Sequence, residues 1–479
     1  MLDNILPTPK SVASRDETVV LSQKISFDSA FSLQAEAFCR SVKILYGISL
    51  TEGEGGIVLC KDSSLDEESY WLDAKNGGLC LAARDAQGIC YAAATALSCL
   101  FVQDGMLMCP MVRIDDRPDK DFRGLMVDLS SQWLPLRCVL KYVDACYLLK
   151  IKYLHLHFID MDRYTLPSKA FPLIGGGKEQ YTEREIEILN EYALARGVSI
   201  IPEFEAPGHV ASLTRTYPQV FGNNIPDNPN LKVETEVGFL AADSVLCPGK
   251  KECFDGIRTL LTEMCEMFPY SPYIHIGGDE AAYLVWDHCP DCIAYMKDHD
   301  ISDSHELYSE FVGRVARLVL DLGRTPIVWE GFPEKGVQYI PKETIVIAWE
   351  SLYMLAPDLL KHGFKIINGA WTPLYIVDNP DLRWGPKDIM AWNVYRWQHF
   401  WDRSPAKLNP IHLDPTENVL GAQISSWGCT FEQGIGRAVE HLCALTERTW
   451  NVQRIHDDAA YGRRQREMAL EVFHLIQER

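Results

Sequence analysis

From residue 122 onward the chain repeats one rhythm: a short apolar run, a polar or aromatic residue closing it, then a stretch with helical apolar spacing. The runs fall at 122–129, 153–159, 198–204, 273–278, 326–331, 344–350, 365–370 and 419–427. Helical patterns at 138–150, 183–196, 253–267, 304–321 and 435–450 separate most of them. Buried strands that alternate with amphipathic helices require a parallel sheet covered by helices, and eight such units close on themselves as a (β/α)8 TIM barrel of the α/β class. In that fold the C-terminal strand ends carry the active site and the opposite face is structural. Asp128, Asp160, Glu205, Asp279, Glu280, Trp329, Glu330, Trp349, Glu350, Trp371 and Trp427 all lie at or just past those ends.

Residues 1–117 follow another plan. Strand-like segments near 18–27, 57–61, 70–74 and 79–83 mix with helical spacing at 33–46 and 86–102, which predicts a small α+β domain. Asp115-Asp116-Arg117-Pro118-Asp119 is a polar, proline-containing break. A chain of 479 residues is too long for one ordinary core, so it divides into an accessory domain at 1–117 and a barrel with a C-terminal helix at 118–479.

A formal net charge of −20 without any cluster of Lys and Arg argues against nucleic acid or an anionic membrane surface as partner. No apolar run reaches the length of a membrane span, and MLDNILPTPKSV lacks the basic start and apolar core of a secretory signal. The 15 cysteines are odd in number and scattered through apolar segments, as reduced thiols in a cytoplasm would be. Cys289-Pro290-Asp291-Cys292, with His288 before it and His299 nearby, has metal-ligand or redox spacing. There is no second CxxC to complete a site, so it reads as a loop with two free thiols. A homo-oligomer is compatible with the sequence.

The most informative segment for chemistry is Tyr273-Ile274-His275-Ile276-Gly277-Gly278-Asp279-Glu280. Neighbours on a regular strand point to opposite faces, but glycines tolerate backbone angles that turn both acids toward one cleft. Close carboxylates push one pKa upward and keep a proton available. His155-x-His157 with Asp160 has the spacing of metal ligands, although an apolar strand also holds histidines as hydrogen-bonded core groups, the reading we prefer. No GxSxG nucleophile elbow is present. Glycoside cleavage needs a proton donor, a group that stabilises positive charge and aromatic walls, and the rim offers all three.

Five segments stand in order at the strand ends: Phe122-Arg123-Gly124-Leu125-Met126-Val127-Asp128, Leu154-His155-Leu156-His157-Phe158-Ile159-Asp160, Ile201-Pro202-Glu203-Phe204-Glu205-Ala206-Pro207-Gly208-His209, His275 to Glu280, and Leu420-Gly421-Ala422-Gln423 leading to Trp427. By these the chain resembles glycoside hydrolase family 20, the β-N-acetylhexosaminidases. The resemblance implies a retaining exo-acting enzyme that needs no metal or cofactor and acts on a small oligosaccharide or glycoconjugate. The substrate's 2-acetamido oxygen would attack the anomeric carbon. Glu280 would be the acid/base, Asp279 would hold the acetamide N–H, and Asp160 and His209 would tune Glu280. Tyr375, Trp329, Trp349 and Trp427 would enclose the acetamide and the sugar, with Arg123, His157 and Glu205 among the substrate-binding residues.

Four positions depart from the family pattern. Ser131 stands where an arginine grips ring hydroxyls, and Cys429 where a glutamate serves the same region. Glu205 replaces a common aspartate, and Val377 an acid. Losing two charged anchors weakens the grip on an unsubstituted sugar and leaves room for a substituted or sulfated one. Arg163, Lys169, Arg396 and His399 are candidate replacements. The alternatives are a disaccharide-releasing enzyme of the lacto-N-biosidase kind and a carbohydrate-binding protein that has lost turnover.

Overall fold

The computed structural model describes residues 5–176, 179–453 and 458–477. The first four residues of the N-terminal stretch read above lie outside these.

The barrel strands are Phe122–Asp128, Tyr153–His157, Ser199–Glu203, Tyr273–His275, Thr325–Trp329, Ile345–Ala348, Lys365–Asn368 and Val419–Trp427. They pair in parallel in chain order, and the ring closes because Val419–Trp427 pairs with both Lys365–Asn368 and Phe122–Asp128. Every expected strand is present. A further short strand, Tyr375–Val377, extends alongside the last one. Helices Leu136–Leu148, Glu183–Leu194, Lys251–Met267, Ser304–Asp321 and Phe431–Trp450 cover the outside. Two of them start at reciprocal caps, Thr182 with Glu185 and Thr430 with Gln433, which satisfy amide groups that the first turn leaves open.

Strand alternation decides what fills the barrel. Phe122, Met126, Tyr153, Ile201, Ile327, Ile345, Ile347 and Ile367 form a separate inner cluster, with Phe122 stacked on Tyr153 at 4.6 Å. Toward the C-terminal mouth the same inward parity brings polar groups: His155, His157, Glu203 and His275, each at most 1% exposed. The site therefore stands on a buried polar column.

The N-terminal unit is a mixed sheet covered by the helices Ser32–Tyr46 and Ala86–Cys99. Two strand readings need correction. The single strand expected over 18–27 is two, Ser11–Val20 and Lys24–Phe27. The eleven-residue strand Met106–Asp116 was not foreseen. It carries Pro110, which lacks a backbone donor, opposite Thr18 beside an irregularity in the pairing. Asp116, read as part of a polar break, ends that strand almost fully buried. It accepts hydrogen bonds from Tyr70 Oη at 2.7 Å and Trp450 Nε1 at 2.9 Å, with Lys150 Nζ at 3.6 Å. These contacts join the unit to the floor of the barrel. Among the described residues no helix is long and apolar enough to cross a membrane.

Candidate active site

The fourth strand ends at His275, and the chain then leaves regular geometry as the glycines suggested, with Gly277 at φ 65° and Gly278 at φ 107°. A Cβ on Gly277 would fall 1.8 Å from Glu205 Oε2. Glu280 itself sits at φ 43°, a left-handed conformation that costs an ordinary residue about 1–3 kcal/mol. The outcome is that Asp279 and Glu280 both line one pocket of about 480 Å³ at the C-terminal mouth.

A chain of alternating charges runs from the column to Glu280. Glu203 is wholly buried. Its Oε1 accepts from Trp329 Nε1 at 2.7 Å and lies 2.7 Å from His275 Nδ1, while Oε2 lies 3.1 Å from His155 Nε2 and bonds His157 Nδ1. His157 Nε2 is 3.3 Å from Asp160 Oδ2, His209 Nδ1 is 3.0 Å from Asp160 Oδ1, and His209 Nε2 is 3.4 Å from Glu280 Oε2. Burial works against a charged imidazole in both histidines, but Glu203 and Asp160 outweigh it at His157, and Asp160 and Glu280 at His209. Both are held well above the usual histidine range. Burial likewise opposes charge on Asp160, and the two imidazoles overcome it and hold the carboxyl well below its usual range. His275 goes the other way, pushed down to about 4 by burial.

Asp279 lies outside this chain. Burial, reinforced by Glu280 and Glu203, lifts its carboxyl from 3.8 to about 7, and among the described residues its Oδ1 has no hydrogen-bond partner. Glu205, beneath it, is also raised well above the carboxylate range, first by burial and then by Asp279.

Aromatic rings wall the pocket. Trp329 lies 6.1 Å, centroid to centroid, from both Trp349 and Trp427. Tyr375 stacks on Trp349 at 5.9 Å and on Trp371 at 4.1 Å. Trp349 is fixed by a 2.7 Å hydrogen bond from its indole to Glu330 O.

Ten of the eleven expected site residues therefore converge: Asp160, His157, Glu205, His209, Asp279, Glu280, Trp329, Trp349, Tyr375 and Trp427 line the pocket. Arg123 does not, and its expected role in binding substrate is corrected. Its side chain is fully buried at the opposite end of the first strand, donating to Lys150 O at 3.0 Å and pairing with Glu68 of the N-terminal unit at 3.1 Å. Two rim acids are also structural. Asp128 accepts the amides of Ser130, Ser131 and Gly428, and Glu330 those of Ser351, Leu352 and Tyr353.

Neither Ser131 nor Cys429 lines the pocket. Of the candidate replacements only His399 does, 3.5 Å from Glu350. Arg163 is tied to Glu179 and to the carbonyls of Ser130 and Ser131, Lys169 pairs with Glu183 on the surface, and Arg396 donates to Gln398. Glu203 was quoted in a motif without a role, although it shares strand parity with Glu205. The loop residues Val237, Phe400 and Trp401 were missed altogether; the aromatic run Trp397-Gln398-His399-Phe400-Trp401 was the only signal for the last two, and Val237 had none.

His155 and His157 agree with the core reading preferred over metal binding. Their donor atoms and those of Glu203 and its neighbours lie close enough to hold an ion, but each histidine has a hydrogen-bond partner within the protein: Gln423 Nε2 lies 3.2 Å from His155 Nδ1, Glu203 bonds His157 Nδ1, and Gly277 N donates to His275 Nδ1 at 3.1 Å.

A closed parallel barrel with a carboxylate pair and tryptophans at its C-terminal mouth is the architecture of a glycosidase. The chain belongs to glycosyl hydrolase family 20: residues 121–453 match the family's catalytic domain and residues 3–117 its domain 2. It is similar to a β-hexosaminidase of Akkermansia muciniphila, 29% identical over 411 residues that cover 81% of this chain and 80% of the relative. A β-hexosaminidase of Porphyromonas gingivalis is 26% identical over 96% of this chain, which spans 62% of that relative's length. The fold of a Bacteroides fragilis β-N-acetylhexosaminidase superposes with a TM-score of 0.78 at 23% identity, covering 96% of this chain and 93% of that one.

Proposed function

We propose that the chain is a retaining exo-β-N-acetylhexosaminidase acting on terminal β-linked N-acetylglucosamine or N-acetylgalactosamine, with the substrate's own acetamide as nucleophile. One observation carries this reading: Asp279 is buried beside Glu280 in an aromatic-walled pocket, with an oxygen that has no partner among the described residues. An acetamide N–H supplies that partner. The acetamide oxygen bonds to the anomeric carbon as the glycosidic bond breaks, Glu280 gives its proton to the leaving oxygen, and Asp279 balances the charge of the oxazolinium ion. Glu280 then takes a proton from water, which reopens the ring at the anomeric carbon with net retention. His209 and Asp160 tune Glu280. Tyr375, Trp329, Trp349 and Trp427 enclose the acetamide and the sugar face. The names of the relatives support the same activity.

The test is hydrolysis of p-nitrophenyl β-N-acetylglucosaminide. Glu280→Gln should lower kcat by about 10²–10⁴-fold. A wild type that binds a thiazoline inhibitor but cleaves no aryl glycoside would instead be a sugar-binding protein.

The positions of Ser131 and Cys429, outside the pocket lining, favour a substituted sugar such as one sulfated or carrying galactose at O3. A substrate panel including lacto-N-biose glycosides decides this, and a highest kcat/KM on the plain monosaccharide rejects it. Fifteen cysteines without a disulfide support a cytoplasmic location. Cell fractionation tests that placement.

A further inference from the structure

Behind the segment that carries Asp279 and Glu280, three fully buried cysteines converge. Cys247 Sγ lies 3.7 Å from Cys289 Sγ and 3.5 Å from Cys292 Sγ. A disulfide would need about 2.05 Å. Sulfurs placed about 2.3 Å from a tetrahedral zinc ion are separated by about 3.8 Å, close to what is found.

The convergence is built into the backbone. Cys289 caps the helix Pro290–Asp298 and Cys292 lies in its first turn, where open amides and the helix dipole favour thiolates. The turn after Cys247 packs directly on this one: a Cβ on Gly249 would fall 2.3 Å from the carbonyl carbon of Asp291. An amide oxygen also lies beside one of the thiols. Asn223 Nδ2 donates to Val245 O at 2.8 Å and Ala242 O at 3.3 Å, which leaves Oδ1 facing Cys292 Sγ at 3.9 Å. Two cations brace the backbone on either side of Cys247 and Asn223. Lys250 Nζ donates to Gly222 O at 2.6 Å, and Arg314 Nη2 to Pro248 O at 3.0 Å.

We propose that Cys247, Cys289 and Cys292 bind one structural zinc ion, with Asn223 Oδ1 as the fourth ligand. Binding releases the three thiol protons to solvent and forms three zinc–sulfur bonds, with no change of oxidation state. None of the cysteines lines the sugar pocket, so the ion acts on architecture. It fastens two active-site segments together. Leu246 N donates to Pro207 O at 2.9 Å and Val210 N to Ser244 O at 3.4 Å, so the Cys247 segment holds the loop of His209. Cys289 follows Glu280 through the short turn Tyr283–His288, whose Trp286 donates to Leu246 O at 3.0 Å. The ion thus sets the distance across which His209 meets Glu280.

The full chain, purified without chelator from zinc-supplemented cells, should contain about one zinc per molecule by plasma mass spectrometry. Mercurial modification of the thiols should release it, as read by a metallochromic dye. Cobalt in its place should show thiolate-to-metal charge-transfer absorption. Cys247→Ser and Cys292→Ser should lower bound zinc by about tenfold or more, whereas Cys443→Ser, on another helix, should not. If the serine variants do not fold, the wild-type metal count and cobalt spectrum decide. A wild type that takes up neither zinc nor cobalt overturns the proposal. So does mass-spectrometric detection of a Cys247–Cys289 or Cys247–Cys292 disulfide in the native chain.

Discussion

Asp279→Asn should abolish sugar hydrolysis and at the same time stabilise the fold, by an amount set by pH. In the folded protein the carboxyl titrates near 7, against 3.8 when unhindered. Below 3.8 both folded and unfolded chains hold the proton, and the group contributes nothing to stability. Between 3.8 and about 7 the unfolded chain gives up a proton that the folded chain keeps, so stability falls as pH rises. Above 7 both states are ionised and the full penalty persists. At about 1.4 kcal/mol per tenfold change, the displacement from 3.8 to about 7 amounts to about 4 kcal/mol. Asparagine has the shape of the protonated acid and removes that cost. Urea denaturation of the variant and the wild type at pH 8 should therefore differ by up to about 4 kcal/mol in favour of the variant, and the difference should vanish near pH 4. The same titration governs catalysis. If Asp279 must be ionised to hold the acetamide, kcat/KM should fall as pH drops through about 7. An asparagine variant no more stable than wild type at pH 8, or equally stabilised at both pH values, would refute the argument that burial lifts this carboxyl.

Arg123→Met removes a buried partner of Glu68 and should cost about 3–5 kcal/mol in denaturant unfolding. KM for an aryl glycoside should not change, and a raised KM would return Arg123 to the substrate. His209→Phe breaks the contact between Asp160 and Glu280 and should shift the acid–base limbs of the kcat profile while KM stays nearly constant. An unchanged pH profile would sink the relay. Trp349→Ala opens the wall against Tyr375 and should raise KM for N-acetylglucosaminides by about tenfold or more, measured by steady-state kinetics.

The barrel was legible because its strands are largely buried on both faces and appear as mostly apolar runs, while its mouth announces itself in acids and tryptophans. The strand Met106–Asp116 escaped notice because Pro110 and a run of methionines carry little strand signal, yet an edge irregularity opposite Thr18 accommodates the proline. Arg123 was misplaced because motif membership says nothing about which end of a strand a residue occupies. It precedes Asp128 by an odd number of positions, so it points outward, and at about 3.3 Å per residue it lies roughly 16 Å away. The same parity rule would have singled out Glu203, two positions before Glu205. Phe400 and Trp401 reach the pocket from a long loop, and sequence periodicity has nothing to say about where such a loop folds back. Cys247 belongs to the same class: the spacing of Cys289 and Cys292 was readable, but only folding brings a third thiol beside them.

The seam under the barrel has a consequence for how such chains can diversify. Asp116 and Glu68, supplied by the accessory unit, are matched to Lys150, Arg123 and Lys152, supplied by the barrel, and most of these groups are buried. A foreign accessory domain grafted at this point would strand unpaired charges in a dry interface, so the two units are expected to be inherited together. The mouth loops that carry Val237, Phe400 and Trp401 take no part in that seam. Sugar preference can therefore drift from one descendant to another by exchange of mouth loops while the floor is passed on unaltered.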